Sequence, residues 1–359
     1  MRDKLNILTS EAVMLLKEMV AIPSPSFCED AVCGHISDWM TSKGLQHERI
    51  GNNIVAEHIV DSGRPTLMLC AHIDTVEPCE GYSFDPYNPE NCPEDMVQGL
   101  GSNDDGASVV SMLGVYRSFA CAKDDREGAK VNLILVLTCE EERSGVGGMT
   151  GLWPQLKSKV DFAIVGEPTG MKAAASERGL LVIDAIAYGV SGHAARNEGK
   201  NALYMALEDI DTLRKYEFSK VSSKMGKVNL NVTQINAGSA HNVIPDRCDF
   251  VIDIRPTEQY SNQEILEDLQ KFCKSELKAR NLANKSSATY EDSKLLVAAE
   301  KLGIETFSSA TTSDWMRISC DAIKMGPGES TRSHRKDEFV YIDEIRNAIK
   351  TYIDFINTL

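Results

Sequence analysis

The chain has 359 residues, 42% apolar and 25% charged, the profile of a globular protein with room for roughly two domains of about 150 residues each. Its 38 Lys and Arg against 53 Asp and Glu leave a net charge of −15, which repels a phosphate backbone or an anionic membrane surface and argues against both as partners. The ten cysteines are scattered without a CxxC pair, which speaks against a zinc-finger spacing or a dense disulfide framework and fits a reducing, cytoplasmic compartment.

The opening segment breaks its apolar positions with Arg, Asp, Lys and Glu at helical spacing, so it reads as an amphipathic helix and not as a signal peptide. It starts near Thr9 or Ser10, presents Val13, Leu16, Met19 and Val20, and stops before Pro23. A second amphipathic stretch covers about 29–44. Extended segments follow at 53–59 and in TLMLCAHIDTV, whose apolar run Leu67 to Ala71 reads as a strand buried on both faces. After glycine punctuation at Gly99, Gly101 and Gly106, helical spacing resumes over about 105–120. Two further apolar strands, KVNLILVLTC (130–139) and DFAIVGE (161–167), lead into EEE (140–142) and Glu167. Alternating helices and doubly buried strands predict an α/β sheet with helices on both sides.

From about 173 to 286 the grammar changes. LLVIDAIAYGV, KVNLNVTQI and CDFVIDIR alternate as half-buried strands do, with helices near 202–216 and 262–280; Ser261 and Glu264 form a capping box for the second. This reads as an inserted α+β layer domain. The flanking parts, 1–172 and 287–359, then form one discontinuous domain, which closes on a helix with the stripe Ile342, Ile345, Ile349, Ile353 and Ile356. No stretch reaches the roughly 18 apolar residues of a membrane span.

In an open α/β sheet, ligands gather beyond the carboxyl ends of the strands. There the sequence puts His72 and Asp74, the loop GLGSNDDGAS with Asp104 and Asp105, the run Glu140 to Glu142, and Glu167. Each alone has an ordinary reading: a hydrogen-bonded core histidine, an aspartate helix cap, a charged helix start. Together they describe histidines and carboxylates gathered to hold cations, in which one carboxylate bridges two ions.

The order HxD (72–74), glycine-rich loop with Asp104, EE, GEP (166–168), SGH (191–193), NVIP (242–245), TSD (312–314) and GPG (326–328) with His334 after it resembles the M20-type dinuclear zinc amidohydrolases. These include the acetylornithine and succinyl-diaminopimelate deacylases, with carboxypeptidase and dipeptidase relatives. The resemblance implies a zinc-peptidase-like catalytic domain and an inserted lid and dimerisation domain. It implies two Zn²⁺, replaceable by Co²⁺ or Mn²⁺, with His72 and Glu167 on one ion, Glu142 and His334 on the other, and Asp104 as bridge. Asp74 would orient His72, Glu141 would be the general base, and His193 would stabilise the oxyanion from the partner copy of a homodimer. Arg255 and Asn242 would bind substrate. Within Glu140 to Glu142 the downstream SGVGG suits Glu141 as base and Glu142 as ligand.

Two Zn²⁺ bring +4 against −3 from three ligating carboxylates, so a bridging hydroxide completes a neutral core. The implied reaction is hydrolysis of an N-acyl amino acid, N-acetyl- or N-succinyl-ornithine of arginine biosynthesis, with a metallo-dipeptidase, a carboxypeptidase, a succinyl-diaminopimelate desuccinylase or a non-catalytic binding module as alternatives. A succinyl group needs one more cation, for which Arg178, Arg196, Arg317, Arg332 and Arg335 are candidates. The loop departs from the deacylases: Leu100 replaces an Arg, and Asp105-Gly106 replaces a hydrophobic-Lys pair, nearer to aminopeptidase relatives.

Overall fold

The computed structural model describes residues 2–122, 130–196 and 198–359. Two compact units emerge, the first made of Met1–Ala175, Thr289–Phe307 and Ser313–Leu359, the second of Ser176–Ala288 and Ser308–Thr312.

The first unit runs α1 (Arg2–Val20), α2 (Asp30–Ser42), β1 (Glu48–Ile50), β2 (Asn53–His58), β3 (Thr66–His72), β4 (Met96–Gln98), α3 (Ala107–Ala120), β5 (Asn132–Thr138), α4 (Met149–Leu156), β6 (Phe162–Val165) and β7 (Ala173–Glu177). The second unit contributes β8 (Leu181–Tyr188), β9 (Gly192–His193), α5 (Ala202–Lys215), β10 (Asn229–Ala237), β11 (Val243–Ile244), β12 (Arg247–Arg255), α6 (Asn262–Gln270), β13 (Glu276–Ala279) and β14 (Ser287–Ala288). The chain closes with α7 (Lys294–Lys301), β15 (Thr306–Ser309), β16 (Asp321–Lys324), β17 (Phe339–Tyr341) and α8 (Ile342–Thr358).

The first unit's sheet is mixed, in the order β1-β2-β5-β3-β6-β16-β7. β3 lies parallel to both β5 and β6, with His72 in register with Thr138. Every residue of β3, β5 and β6 is buried, which is why their sequences are unbroken apolar runs instead of alternating ones. On one face α1, α3 and α8 pack on each other over a core that includes Leu16, Leu69, Val109, Leu135 and Ile349. The other face is covered by α4, whose Leu152, Trp153 and Leu156 join Met68, Ile134, Val136 and Trp315. The stripe on α8 is largely inward, with Ile345, Ile349 and Ile356 buried and Tyr352 and Phe355 beside them; Ile342 and Ile353 are half-buried at its margin.

The second unit holds an antiparallel sheet in the order β10-β12-β8-β13. β8 and β12 alternate buried and half-buried residues, and Ile183, Ala185, Phe250 and Ile252 share a core with Ala206 and Leu213 of α5 and Ile265 and Leu269 of α6.

Three expectations need correction. The first helix begins at Arg2, and Thr9 lies inside it with its hydroxyl donating to the Leu5 carbonyl at 2.8 Å, so it is no cap. The helix expected over about 105–120 begins at Ala107, because Asp104 and Asp105 have non-helical backbone angles. The helix expected over 262–280 ends at Gln270, and Glu276–Ala279 becomes an edge strand on β8 with Leu277 turned into the core; in so short a run a single buried apolar residue is read as helix or strand only by its neighbours.

Candidate metal centre

The strand ends converge within the first unit. His72 closes β3 and is 3% exposed. Its Nε2 lies 3.2 Å from Asp104 Oδ1, while its Nδ1 lies 2.9 Å from the Asp74 carbonyl oxygen and 3.4 Å from Asp74 Oδ1. Opposite, His334 Nε2 lies 2.9 Å from Glu142 Oε1 and 3.6 Å from Asp104 Oδ2. Asp104 thus stands between the two imidazoles. Donor atoms of His72, Asp104 and Glu142 fall within 4.8 Å of one another, and so do those of His72, Glu141 and Glu167.

Local backbone geometry sorts the three adjacent glutamates. Glu140 has a left-handed backbone, φ 60°, which turns its carboxylate away from the centre to accept the Gly147 amide at 2.8 Å. A Cβ at Gly145 or Gly147 would fall on that carboxylate, which accounts for the glycines there. Glu141 and Glu142 then face inward. Asp74, wholly buried, holds their backbone: its Oδ1 accepts the Glu141 amide at 3.0 Å, and its Oδ2 accepts the Glu142 amide at 3.1 Å and the Ser26 hydroxyl at 2.7 Å. Its side chain therefore grips the Glu141–Glu142 turn at hydrogen-bond distance and touches His72 more loosely.

Electrostatics follow from burial and like charge. Burial pushes the Glu141 carboxyl well above the usual range, His72 pulls it back in part, and Glu167, Glu142 and Asp314 add to the rise. Glu167 is raised by burial and by Asp104, against Lys324 and His72. Burial opposes the Asp104 anion, yet the His72 hydrogen bond and the charges of His72 and His334 hold its carboxyl low. The Glu142 hydrogen bond raises His334 to about 9. Four carboxylates, Asp104, Glu141, Glu142 and Glu167, thus crowd two imidazoles. Were all four ionised, even two protonated rings would leave the cluster net negative in a low-dielectric pocket, and the raised Glu141 and Glu167 carboxyls reflect that cost. Nitrogen and oxygen donors at this spacing fit two divalent cations, and one carboxylate placed between two imidazoles fits a bridge.

Several further residues shape the centre, and two of them, Glu29 and Glu338, carry no sequence signal of their own. Glu29, fully buried, accepts the amides of Phe27 and Glu140 at 2.8 and 3.1 Å. Glu338, 2% exposed, accepts amides of the glycine-rich loop, and burial and the Asp104 charge raise its carboxyl to about 8. Asn103 clasps the segment before His334: its Oδ1 accepts the Glu329 amide at 2.9 Å and its Nδ2 donates to the Glu329 carbonyl at 3.2 Å. Asp314 of TSD is buried and accepts the Thr138 hydroxyl at 2.7 Å, a support beneath β5.

The remaining predicted residues belong to the second unit. His193 pairs with Val243 in the β9–β11 ladder and is exposed, its Nδ1 accepting the Ala195 amide at 3.2 Å. Asn242 is exposed beside it, and its carbonyl accepts the Ala194 amide at 3.0 Å. Arg255 ends β12 in a two-pronged pair with Asp253, 2.8 and 3.1 Å. Of the other arginines, Arg178 donates to the carbonyls of Met225, Lys227 and Arg255, and Arg332 pairs with Glu344 at 2.7 Å over the Phe339 ring. Arg335 donates to the Thr331 carbonyl at 3.2 Å. Burial lowers the pKa of the half-buried Arg317 guanidinium, against the charges of Asp314 and Glu141.

Residues 175–281 match the peptidase dimerisation domain of the M20 type. Along 98% of the chain, it is 27% identical to an acetylornithine deacetylase of Proteus mirabilis, covering 98% of that protein. It is 25% identical to a succinyl-diaminopimelate desuccinylase of Xanthomonas campestris, with 98% of this chain and all of the relative aligned. A dinuclear metal-binding M20 peptidase of Bacillus subtilis superposes with a TM-score of 0.74 at 15% identity, over 98% of each chain. Over nearly its whole length the chain resembles the M20-type amidohydrolases and peptidases, and it is an enzyme. The relatives it matches by sequence are named as deacylases, and the solved structures it resembles include peptidases.

Proposed function

We propose that the protein hydrolyses the amide bond of an N-acyl amino acid, N-acetyl- or N-succinyl-ornithine, releasing ornithine and a carboxylate. The observation that carries this reading is Glu141, whose carboxyl burial pushes well above the usual carboxylate range, set beside the His72, Asp104, Glu142, Glu167 and His334 donors. Divalent cations held by those five residues, Zn²⁺ by preference with Co²⁺ or Mn²⁺ as substitutes, would polarise the amide carbonyl and lower the pKa of water. Glu141 takes the proton of the attacking water and passes it to the leaving amine nitrogen as the C–N bond breaks. Asp74 keeps Glu141 and Glu142 in place through their backbone.

His193 is assigned to the developing oxyanion, and Asn242 and Arg255 to the substrate. Arg255 would share its guanidinium between Asp253 and a substrate carboxylate, for which its planar fork is suited. The dimerisation-domain match supports a homodimer built through the insert. Among the described residues no helix is long and apolar enough to cross a membrane, and a role in arginine biosynthesis goes with a cytoplasmic location.

Side-by-side kcat/KM values on N-acetylornithine, N-succinylornithine, N-succinyl-diaminopimelate and a dipeptide test the reading. A preference for either ornithine derivative is expected, and a preference for the dipeptide overturns it in favour of a peptidase.

A further inference from the structure

We propose that Glu338 is a positioning residue for the cation centre: it fixes the backbone of the loop that carries Asp104. The inference rests on the reading of Asp104 and His334 as ligands. The Glu338 carboxylate is buried at 2% exposure and is spread over that loop. Its Oε1 accepts the amides of Asn103 and Asp104, each at 2.9 Å, and its Oε2 accepts the Gly101 amide at 3.2 Å. Its backbone carbonyl accepts the Gly99 amide at 3.0 Å.

The loop is shaped to allow this. Gly101 has φ 77°, and a Cβ there would lie 2.5 Å from Thr75 Cγ2, so the amides turn toward one point as they do in an anion-holding nest. Directly after Glu338, β17 pairs with β4, Phe339 opposite Gln98, and β4 leads straight into the loop. His334 lies four residues before Glu338. The brace therefore sets the backbone of Asp104, whose Oδ2 stands 3.6 Å from His334 Nε2. Hydrogen bonds from amides to a carboxylate are short and strong, and removing the acceptor leaves buried donors unmet.

Residues that hold ligands in place typically change metal affinity by about 10–100-fold when removed. Glu338→Gln keeps a carbonyl oxygen for Asn103 and Asp104 but sets an NH2 group against the Gly101 amide, so its effect should be the smaller. The test titrates metal-free protein with Co²⁺ by calorimetry and follows the visible absorption of the bound ion, which reports ligand geometry independently of turnover. Wild type, Glu338→Ala, Glu338→Gln and Asp209→Ala are compared; Asp209, in the second unit, accepts the Lys274 and Ser275 amides at 3.0 and 2.8 Å and serves as a stability control.

Expected is a loss of Co²⁺ affinity of about 10–100-fold with an altered spectrum in Glu338→Ala, the same direction in Glu338→Gln, and wild-type binding in Asp209→Ala despite a lower Tm. Wild-type affinity and spectrum in both Glu338 variants overturn the inference, as does an equal loss in Asp209→Ala. Should Glu338→Ala fail to fold, Glu338→Gln decides alone. If wild-type protein takes up no Co²⁺, the cation centre itself is refuted and Glu338 with it.

Discussion

Asp74 holds Glu141 by its backbone: the Glu141 amide donates to Asp74 Oδ1 at 3.0 Å, although the two are 67 residues apart. The proposed general base is therefore aimed by a carboxylate that sits two residues after His72. Asp74→Asn leaves the shape but presents an NH2 group to one of the two amides. A loss of about 10–100-fold in kcat/KM is expected, the range for residues that orient a metal site. Wild-type turnover in Asp74→Asn would remove Asp74 from the machinery.

Glu141→Gln should separate chemistry from binding. It keeps the volume and removes the proton acceptor, so kcat should fall by about 10²–10⁴-fold. The cation stoichiometry of the purified protein should not change, because the five proposed ligands remain. Elemental analysis and steady-state kinetics on the same preparation check both halves.

The pH dependence of stability has a definite sign at Asp314. Burial pushes its carboxyl up to about 6, whereas an unfolded Asp titrates near about 3.9. Between these values the folded state holds a proton that the unfolded state has released, so stability falls as pH rises through that window and the loss persists above it. Asp314→Asn keeps an acceptor for the Thr138 hydroxyl and lacks the titration. In chelator, the unfolding free energy of the variant should gain on wild type between pH 4 and pH 7. A constant difference would show that another group titrates.

Cation removal should act on fold and activity together. Chelation should abolish hydrolysis and lower the Tm, and Zn²⁺ should restore both. Ions bound only by the folded state stabilise it by about 2.7 kcal/mol at one hundred times Kd. A Tm independent of Zn²⁺ concentration would argue against a site of useful affinity.

His193→Ala should lower kcat by about 10²-fold or more with cations retained, as loss of an oxyanion donor does. If His193 serves the centre of another copy, mixing this variant with Glu141→Gln should restore part of the activity. Verified heterodimers without recovery would exclude action between copies.

The sequence made the sheet and most of the centre legible for one physical reason. Strands buried on both faces are written as apolar runs, so the first polar residues after Ala71, Leu137 and Val165 announce the strand ends where ligands gather. The inward register of Glu141 and Glu142 could be anticipated from SGVGG, since glycines are what Glu140 needs in order to fold over them. Glu29 and Glu338 could not be found this way. Glu338 lies far in sequence from the loop amides it accepts, and Glu29 from the Glu140 amide, while a lone Glu beside an Asp looks like solvated surface. The Asp253 partner of Arg255 was within reach, because residues two apart on a strand share a face. Gln270 as the end of α6 was not, since the strand that follows is defined by its pairing with β8.

The β4–β17 ladder and the Glu338 brace have a consequence for biosynthesis. A chain made from its N-terminus exposes His72, Asp104, Glu141, Glu142 and Glu167 first, then the whole of the second unit, and only afterwards His334 and Glu338. Domains fold largely as they emerge, so the acidic cluster waits without its last imidazole and without its backbone clamp until the segment after the second unit has been made. Capture of ions by the proposed centre would in this way follow the synthesis of the dimerisation domain.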